Sequence, residues 1–372
     1  MVFSINTHIH NSLYKINRKK GKMNVYKKIA SKFPPQIAYC IAYGSGVKQQ
    51  LGYENVKKKS KMIDLVFCVR NTEEWHSKNL SLHPNHYSGL KFFGNKFITD
   101  FQKNYGANIY CNTLVNLEDL NLQIKYNVIS IDNFIDDLCN WTHLYMAGRM
   151  HKPVSIVIND GEKKLQQAIQ KNLLSALHVS LLLLPKKFSS YDLFYKISEL
   201  SYKGDFRMIF GENKNKVHNI VSPQLKEFYE LYKIPISKIS SCVTQIQNNN
   251  DDIRKILYEQ DKSKISIKEH IKALPNNLKF IVIKNFAKIS DKNHKNEILM
   301  ELENIDDIKN EKTEEIIEII SNNEKTCNKL ISKSVDEIVW RSSITQSIKN
   351  IPTAGILKSI FYSWKKALKT FN

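Results

Sequence analysis

Ile37-Ala38-Tyr39-Cys40-Ile41-Ala42-Tyr43-Gly44-Ser45-Gly46 and, after a Lys-rich loop, Met62-Ile63-Asp64-Leu65-Val66-Phe67-Cys68-Val69 are the residues from which the fold is read. Two short runs of Ile, Val, Tyr and Phe, each bounded by turn or charge signals, predict two buried strands. The first runs into a small-residue turn. The second carries one carboxylate among apolar neighbours, and an unpaired Asp in a buried strand costs several kcal/mol unless a cation or strong donors compensate it. Asp64 is therefore a candidate metal ligand and catalytic residue, and Gly44, Ser45 and Gly46 are a candidate phosphate cradle.

The chain has 372 residues, which allows about two domains with cores of their own. A formal charge of +20 points to an anionic partner: nucleic acid, an anionic membrane surface or a polyphosphate substrate. Part of that excess is a general over-use of Lys, Asn and Ile. Six cysteines without CxxC pairing fit a reducing compartment better than a zinc site or a disulfide framework. No apolar run reaches the roughly 18 to 20 residues that span a bilayer. The longest, Leu173 to Leu184, contains His178 and is expected to be a core helix.

From Met1 to Tyr53 there is no acidic residue, and seven Lys and Arg between Lys15 and Lys28 make residues 1–25 a basic tail of the kind found in organelle import sequences. His76, His83 and His86 lie close together, yet without a nearby Cys or an HExxH pattern a polar loop bonded to backbone or substrate is the better expectation. Phe134, Leu138, Trp141, Leu144 and Tyr145 share one face of an expected helix over Asp132–Met150. Arg149 and Lys152 follow, suited to phosphate oxygens as a forked guanidinium and a point charge. The segment Ser201-Tyr202-Lys203-Gly204-Asp205-Phe206-Arg207, with Glu212 after it, packs opposite charges around a turn, so it either fixes a junction by ion pairs or lines a site. We expect the site. Residues 289–335 are Lys/Asn/Glu/Ile-rich and poor in aromatics, which suggests a low-complexity insertion.

After Glu337 no acid occurs, and Leu357, Phe361, Trp364, Leu368 and Phe371 recur at spacings of four and three, with Lys358, Lys365, Lys366 and Lys369 beside them. Such an amphipathic helix is suited to a membrane surface, with Leu357, Phe361, Trp364, Lys365, Lys366 and Leu368 as the contacts.

A strand, a Gly-Ser turn and a carboxylate on the next strand form the skeleton of a nucleotidyltransferase site, in which the turn holds a triphosphate and acids hold Mg2+. The position two after Asp64 is Val66 and not a second acid, so a second ligand is sought in Asp205, Glu212 or Asp160, in that order.

Tyr43-Gly44-Ser45-Gly46-Val47, Ile63-Asp64-Leu65-Val66-Phe67, Trp75-His76, His86-Tyr87-Ser88, Gly106-Ala107, Leu144-Tyr145-Met146-Ala147-Gly148-Arg149 and Ser201-Tyr202-Lys203-Gly204-Asp205 occur in that order. Together with Arg341-Ser342-Ser343, Gln346-Ser347 and Thr353-Ala354-Gly355 they resemble the mitochondrial phosphatidate cytidylyltransferases, also described as mitochondrial translocator assembly and maintenance proteins. The resemblance implies an α+β chain: a nucleotidyltransferase-fold domain over 26–160, with a mixed sheet flanked by helices, and a smaller winged-helix-like helical domain over 161–288. The 289–335 insertion and a membrane-associating segment over 336–372 complete the expected order. It further implies a peripheral protein on the matrix side of the mitochondrial inner membrane. The implied reaction is CTP plus phosphatidic acid to CDP-diacylglycerol and pyrophosphate, with Mg2+, on the cardiolipin route of phospholipid biosynthesis. On that basis Ser45, Asp64 and Asp205 are the catalytic candidates, and Gly44, Ser45, Gly46 and Lys203 the nucleotide-binding ones. Arg149, Lys152, His86 and Arg207 are candidates for the lipid phosphate, and Asp64, Asp205 and Glu212 for the metal. A homo-oligomer is compatible with the sequence. An RNA-directed nucleotidyltransferase would share the chemistry but needs a second acid after Asp64 and no lipid-facing helix, so nucleic acid is not expected as a partner. A non-catalytic membrane-bound assembly factor is the third alternative.

Overall fold

Ile37–Tyr43 and Ile63–Val69 are strands, β1 and β2, paired antiparallel with Tyr43 opposite Asp64. The computed structural model describes residues 21–52, 62–210, 212–247, 252–290 and 311–355. In it β1 is buried at every position and β2 at every position but Asp64. Both strands lie inside a five-stranded sheet with helices on both faces, the arrangement that makes a strand read as a continuous apolar run. With β3 (Tyr110–Leu117), β4 (Leu122–Ser130) and β5 (Ser155–Asn159), the order is β3-β4-β2-β1-β5. The β2–β4 pair is parallel and the others antiparallel, so the sheet is mixed and the chain is α+β, as expected.

The period-2 alternation divides the strands between two cores. Cys40, Ala42, Leu65, Phe67, Tyr126 and Val128 face Phe33, Trp75 and Ile98. Tyr39, Ile41, Tyr43, Val66, Cys68 and Ile129 face the other way, into a core continuous with the helices of the second half. At the centre of that core is Lys163–Leu183, the helix expected around Leu173–Leu184, ended at Leu184-Pro185 where the chain turns extended. Around it pack Ser190–Glu199, Leu225–Ser237, Lys264–Lys272 and Asn276–Ile289, with a small antiparallel sheet of order β6-β8-β7 (Lys187–Ser189, Leu257–Gln260 and Val243–Gln247).

Two expectations differ from the structure. The single helix over Asp132–Met150 is two, Ile131–Asn140 and Met146–Met150, separated by a turn in which Trp141 and Leu144 adopt positive φ. Residues 311–335 of the expected insertion are helical and part of the core: Ile316, Ile317 and Ile320 are buried in Glu311–Ser321, and Leu330 and Ile331 in Glu324–Ala354. The acids that made this segment look like a solvated arm face lysines of Lys264–Lys272, with Glu318 bonded to Lys264 and Lys268, and Glu314 2.8 Å from Lys272.

The helix Glu324–Ala354 continues across both halves, and Gly355, at φ +86, ends it. Its Gln346 accepts a 2.8 Å bond from the Ala107 backbone N–H, and Lys349 donates to the carbonyls of Gln102 and Tyr105, each at 2.7 Å. Residues 336–355 are thus docked on the protein itself. The expected membrane contacts from Leu357 to Leu368, and the basic tail up to residue 20, lie outside the described residues. No helix among the described residues is long and apolar enough to cross a membrane.

Candidate active site

Strand β1 delivers Tyr43 to the sheet edge, and the chain then reverses through Gly44 at φ +81, a conformation that costs glycine little and other residues about 1–2 kcal/mol. The Gly44 carbonyl accepts from Val47 N–H at 3.1 Å and Lys48 N–H at 2.9 Å, closing the turn. A Cβ at Gly44 would lie 2.7 Å from Asp64 Oδ2, and one at Gly46 would lie 2.3 Å from the Met62 carbonyl oxygen. The two glycines therefore let the turn lie directly against the start of β2, with a carboxylate oxygen at its rim. The loop after the turn is braced by the helical half: Leu51 N–H donates to Asn219 O at 3.0 Å and Gln224 to Gln49 O at 2.9 Å.

Pairing brings further groups to the same row. Parallel register places Lys125 of β4 beside Asp64. Asn127 donates to the Tyr43 hydroxyl at 3.0 Å, and the Arg149 guanidinium lies 4.1 Å from the centre of the Tyr43 ring. Burial by itself lowers the pKa of Arg149, but the surrounding Tyr43, Tyr202 and Tyr145 oxygens and the Asp64 carboxylate outweigh it and the net shift is upward. Lys152 is buried, bonded to Gly148 O and, at 2.7 Å, to Ser201 Oγ, with its ammonium 5.1 Å from the Tyr202 ring centre. Burial, and then the neighbouring Arg149, push its pKa far down.

The carboxylate of Asp137, buried, holds Arg149 in place by accepting four backbone N–H groups: His143 at 2.7 Å, Leu144 at 2.8 Å, Met146 at 2.7 Å and Ala147 at 3.0 Å. This is what folds the 141–147 turn and starts the helix that carries Arg149. Asn172 secures the other side, donating to Ala147 O at 3.0 Å and accepting from Trp141 Nε1 at 2.9 Å. A Cβ at Gly148 would fall 2.4 Å from Ser201 Cβ, so Gly148 is what allows the Arg149 helix to touch the Ser201–Tyr202 segment.

Residues 26–369 match the family model described as "Phosphatidate cytidylyltransferase, mitochondrial". The chain belongs to the mitochondrial phosphatidate cytidylyltransferase family. Proteins of that name are similar to it over most of its length. The Drosophila melanogaster protein is 44% identical over 361 residues, covering 94% of this chain and 99% of its own. The Danio rerio protein is 38% identical over 344 residues, covering 92% and 94%. The Schizosaccharomyces pombe protein is 38% identical over 352 residues, covering 92% and 82%.

In this cytidylyltransferase-family chain Gly44, Ser45, Gly46, Asp64, Arg149 and Lys152 therefore gather in one region. The other expected site residues have partners of their own. Asp205 is buried and its carboxylate is taken up by Arg207, through the backbone N–H and Nε at 2.9 Å and through the outer guanidinium nitrogen. For Arg207, burial lowers the pKa and the Asp205 bonds more than reverse it. Lys203 donates to Ser332 at 2.6 Å and lies 3.8 Å from Asp336, both on the Glu324–Ala354 helix. Gly204 is pressed against the backbone of Asp336. These contacts seat the 201–207 segment on the Glu324–Ala354 helix, and the Asp205 carboxylate is paired with Arg207. Glu212 pairs with Lys216 at 3.5 Å, and Asp160 with Arg70 at 2.8 Å, a strand's length from Asp64. His86 bonds the Tyr126 hydroxyl at 3.1 Å on the opposite face of the sheet. His76 is buried between Tyr87 and Gln102, each at 2.8 Å, and His83 meets Lys32 O at 2.8 Å.

No three His, Cys, Asp or Glu side chains cluster to hold a metal among the described residues. Mg2+ binds through one or two carboxylates plus substrate phosphates rather than in an all-protein cage. Asp64 at the rim of the turn fits such a role, and the Asp205 carboxylate is paired with Arg207. Lys125, Asn127 and Asp137 were not foreseen. Asp137 had one sequence signal, a carboxylate three residues after Phe134 on the apolar face of its helix.

Proposed function

We propose that this chain is a magnesium-dependent phosphatidate cytidylyltransferase, converting CTP and phosphatidic acid to CDP-diacylglycerol and pyrophosphate on the cardiolipin route. We place it peripherally on the matrix side of the inner mitochondrial membrane. The mixed sheet serves as a nucleotidyltransferase-type domain, and the helices around β6-β8-β7 as a winged-helix-like domain. The observation that carries this reading is the contact of the Gly44 turn with Asp64, faced by Arg149 on Tyr43.

The turn's backbone N–H groups and Ser45 cradle the triphosphate of CTP. Asp64 would hold Mg2+, whose charge offsets that of the phosphates. Arg149 and Lys152 receive the phosphate of phosphatidic acid and align one of its oxygens with the α-phosphorus. A bond forms from that oxygen to the α-phosphorus, the bond to the bridging oxygen breaks, and pyrophosphate leaves with the electron pair. The attacking oxygen is already ionised near neutrality, so no general base is required and positioning with charge neutralisation carries the rate.

The test is transfer of label from CTP labelled at the α-phosphate into lipid, with Mg2+ and phosphatidate vesicles. Wild type should form labelled CDP-diacylglycerol and Asp64→Asn should lose at least about a hundredfold, as for loss of a charged group acting at the transition state. A wild-type protein that labels no lipid would refute the proposal. Full activity in Asp64→Asn would refute the role of Asp64 alone.

A further inference from the structure

The Gly89–Phe93 turn and the helix Gly94–Asn104 carry aromatic residues that the site does not use. Phe92 is 83% exposed and Phe93 68%. Phe93, Phe97, Phe101 and Tyr105 form a ladder at ring separations of 5.0, 5.9 and 5.2 Å along one helix edge. Ile98, Thr99 and Gln102 supply the inward face. The end of the Glu324–Ala354 helix lies alongside: Ser88 donates to Pro352 O at 2.6 Å, and Lys349 holds the carbonyls of Gln102 and Tyr105. That helix adds two exposed residues, Ile348 and Ile351. Four large exposed apolar side chains, Phe92, Phe93, Phe97 and Tyr105, thus lie along this turn and helix, and Ile348 and Ile351 are exposed on the helix docked beside them.

The charge along this segment is mostly positive. From Trp75 to Thr99 there is no acid, and Lys78, Lys91 and Lys96 are present; Asp100 is the one acid of the Gly94–Asn104 helix. The Lys91 ammonium lies 5.6 Å from the Phe92 ring centre. Gly355, where the description of the chain stops, touches Ser88. The sequence beyond it holds Phe361, Trp364, Lys358, Lys365, Lys366 and Lys369 and no acid. Aromatics flanked by lysines are therefore found both in the described patch and in the sequence that leaves it.

We propose that this junction is a bilayer-inserting face, with Phe92 and Phe93 as the wedge, Lys91 and Lys96 at the anionic headgroups, and the membrane that supplies the lipid substrate as the partner. The inference rests on the proposed lipid substrate. A soluble protein partner would have to cover rings standing out from a tight turn. A bilayer accepts them at the depth where aromatic rings are most stable, and its anionic lipids attract the lysines. The face is also tied to the site. Lys349, which grips the ladder helix, acts electrostatically on the Cys111 thiol of β3, as do Lys125 and Asp64. Insertion here would fix the end of the sheet that bears Asp64 relative to the membrane plane.

The experiment uses the full chain and vesicles of phosphatidylcholine with and without phosphatidate. Phe92→Ser/Phe93→Ser should reduce co-sedimentation with phosphatidate vesicles by about tenfold or more, as loss of two inserted aromatic side chains implies. Turnover on vesicles should fall in step, while turnover of a short-chain phosphatidate dissolved as monomers stays at the wild-type rate, which also reports an intact fold. Phe92→Trp should gain fluorescence quenching by chain-brominated lipid. Unchanged co-sedimentation of the double variant would overturn the inference. So would a wild-type dimer that the double variant converts to monomer, since the face would then belong to a second copy. A wild-type protein inactive on both substrates would refute the proposed function, and the co-sedimentation difference would still decide this inference.

Discussion

Asp137 makes the most quantitative prediction, because its role can be counted bond by bond. One carboxylate oxygen accepts from His143 and Leu144 and the other from Met146 and Ala147, all within 3.0 Å. Asp137→Asn keeps the size and replaces one oxygen with an NH2 group that faces two N–H donors. Two backbone donors then lose their acceptor in a buried setting, at about 1.5–3 kcal/mol each for bonds to a charged group, so about 3–6 kcal/mol in total. That is a large part of the roughly 5–15 kcal/mol that holds a typical domain together. The turn it secures has positive φ at Trp141 and Leu144, neither of them glycine, so without the carboxylate the backbone has an incentive to relax. Relaxation moves the Met146–Met150 helix and takes Arg149 off Tyr43.

Urea unfolding followed by far-UV circular dichroism should therefore show a markedly lower midpoint for Asp137→Asn. Cytidylyl transfer measured in the absence of urea should also fall, although Asp137 touches neither proposed substrate. Asp136→Asn is the control: that neighbour bonds Asn140 and Thr142 near the surface, and its loss should cost under about 1 kcal/mol. If the Asp137 and Asp136 variants unfold at the same midpoint, Asp137 does not organise the turn.

Two further outcomes are expected. Gly44→Ala should abolish most transfer activity with a loss of only about 1–2 kcal/mol in stability, since the new Cβ both forces a left-handed Ala and displaces Asp64 Oδ2; a fully active variant would show that the turn need not lie against Asp64. Lys349→Met should flatten the pH dependence of stability between about pH 7 and pH 10. Burial lowers the lysine's pKa from 10.5 to about 7, so the unfolded chain holds the proton more tightly. The cost of burying the charge is complete below about pH 7 and disappears as pH rises to the unfolded value, a slope of up to about 1.4 kcal/mol per pH unit that Met cannot show. Urea midpoints across that range, wild type against variant, measure it, and parallel curves would remove Lys349 as the source.

What was legible in the sequence were features whose cause is local. β1 and β2 announce themselves because both their faces are buried, and the Gly44 turn because glycine is what a left-handed reversal needs. The break at Trp141–Leu144 has no local signal, because a carboxylate from the preceding helix imposes it on residues that would otherwise continue the apolar stripe. The segment 311–335 was misread for a related reason: Glu314 and Glu318 look solvated until Lys264, Lys268 and Lys272 are placed opposite them. Lys125 became visible only with the parallel β2–β4 register, since nothing near it in the chain marks it as a neighbour of Asp64.

The pairing of Asp205 with Arg207 bears on how the site balances its charge. On the proposed function, two phosphate-bearing substrates must approach each other, and their mutual repulsion is the main electrostatic obstacle to reaction. A region with Lys125 and Arg149 around one Asp64 lowers that obstacle; each additional free carboxylate would raise it. A second acid is expected from sequence because Val66 stands two after Asp64, where the nucleotidyltransferase pattern carries one. The structure instead neutralises Asp205 with its own Arg207 and uses the pair to seat the 201–207 segment, where Phe206 N–H meets Ser343 Oγ at 3.4 Å. On the proposed function one carboxylate would be enough to site a divalent ion, because the substrate phosphates would provide its other anionic oxygens.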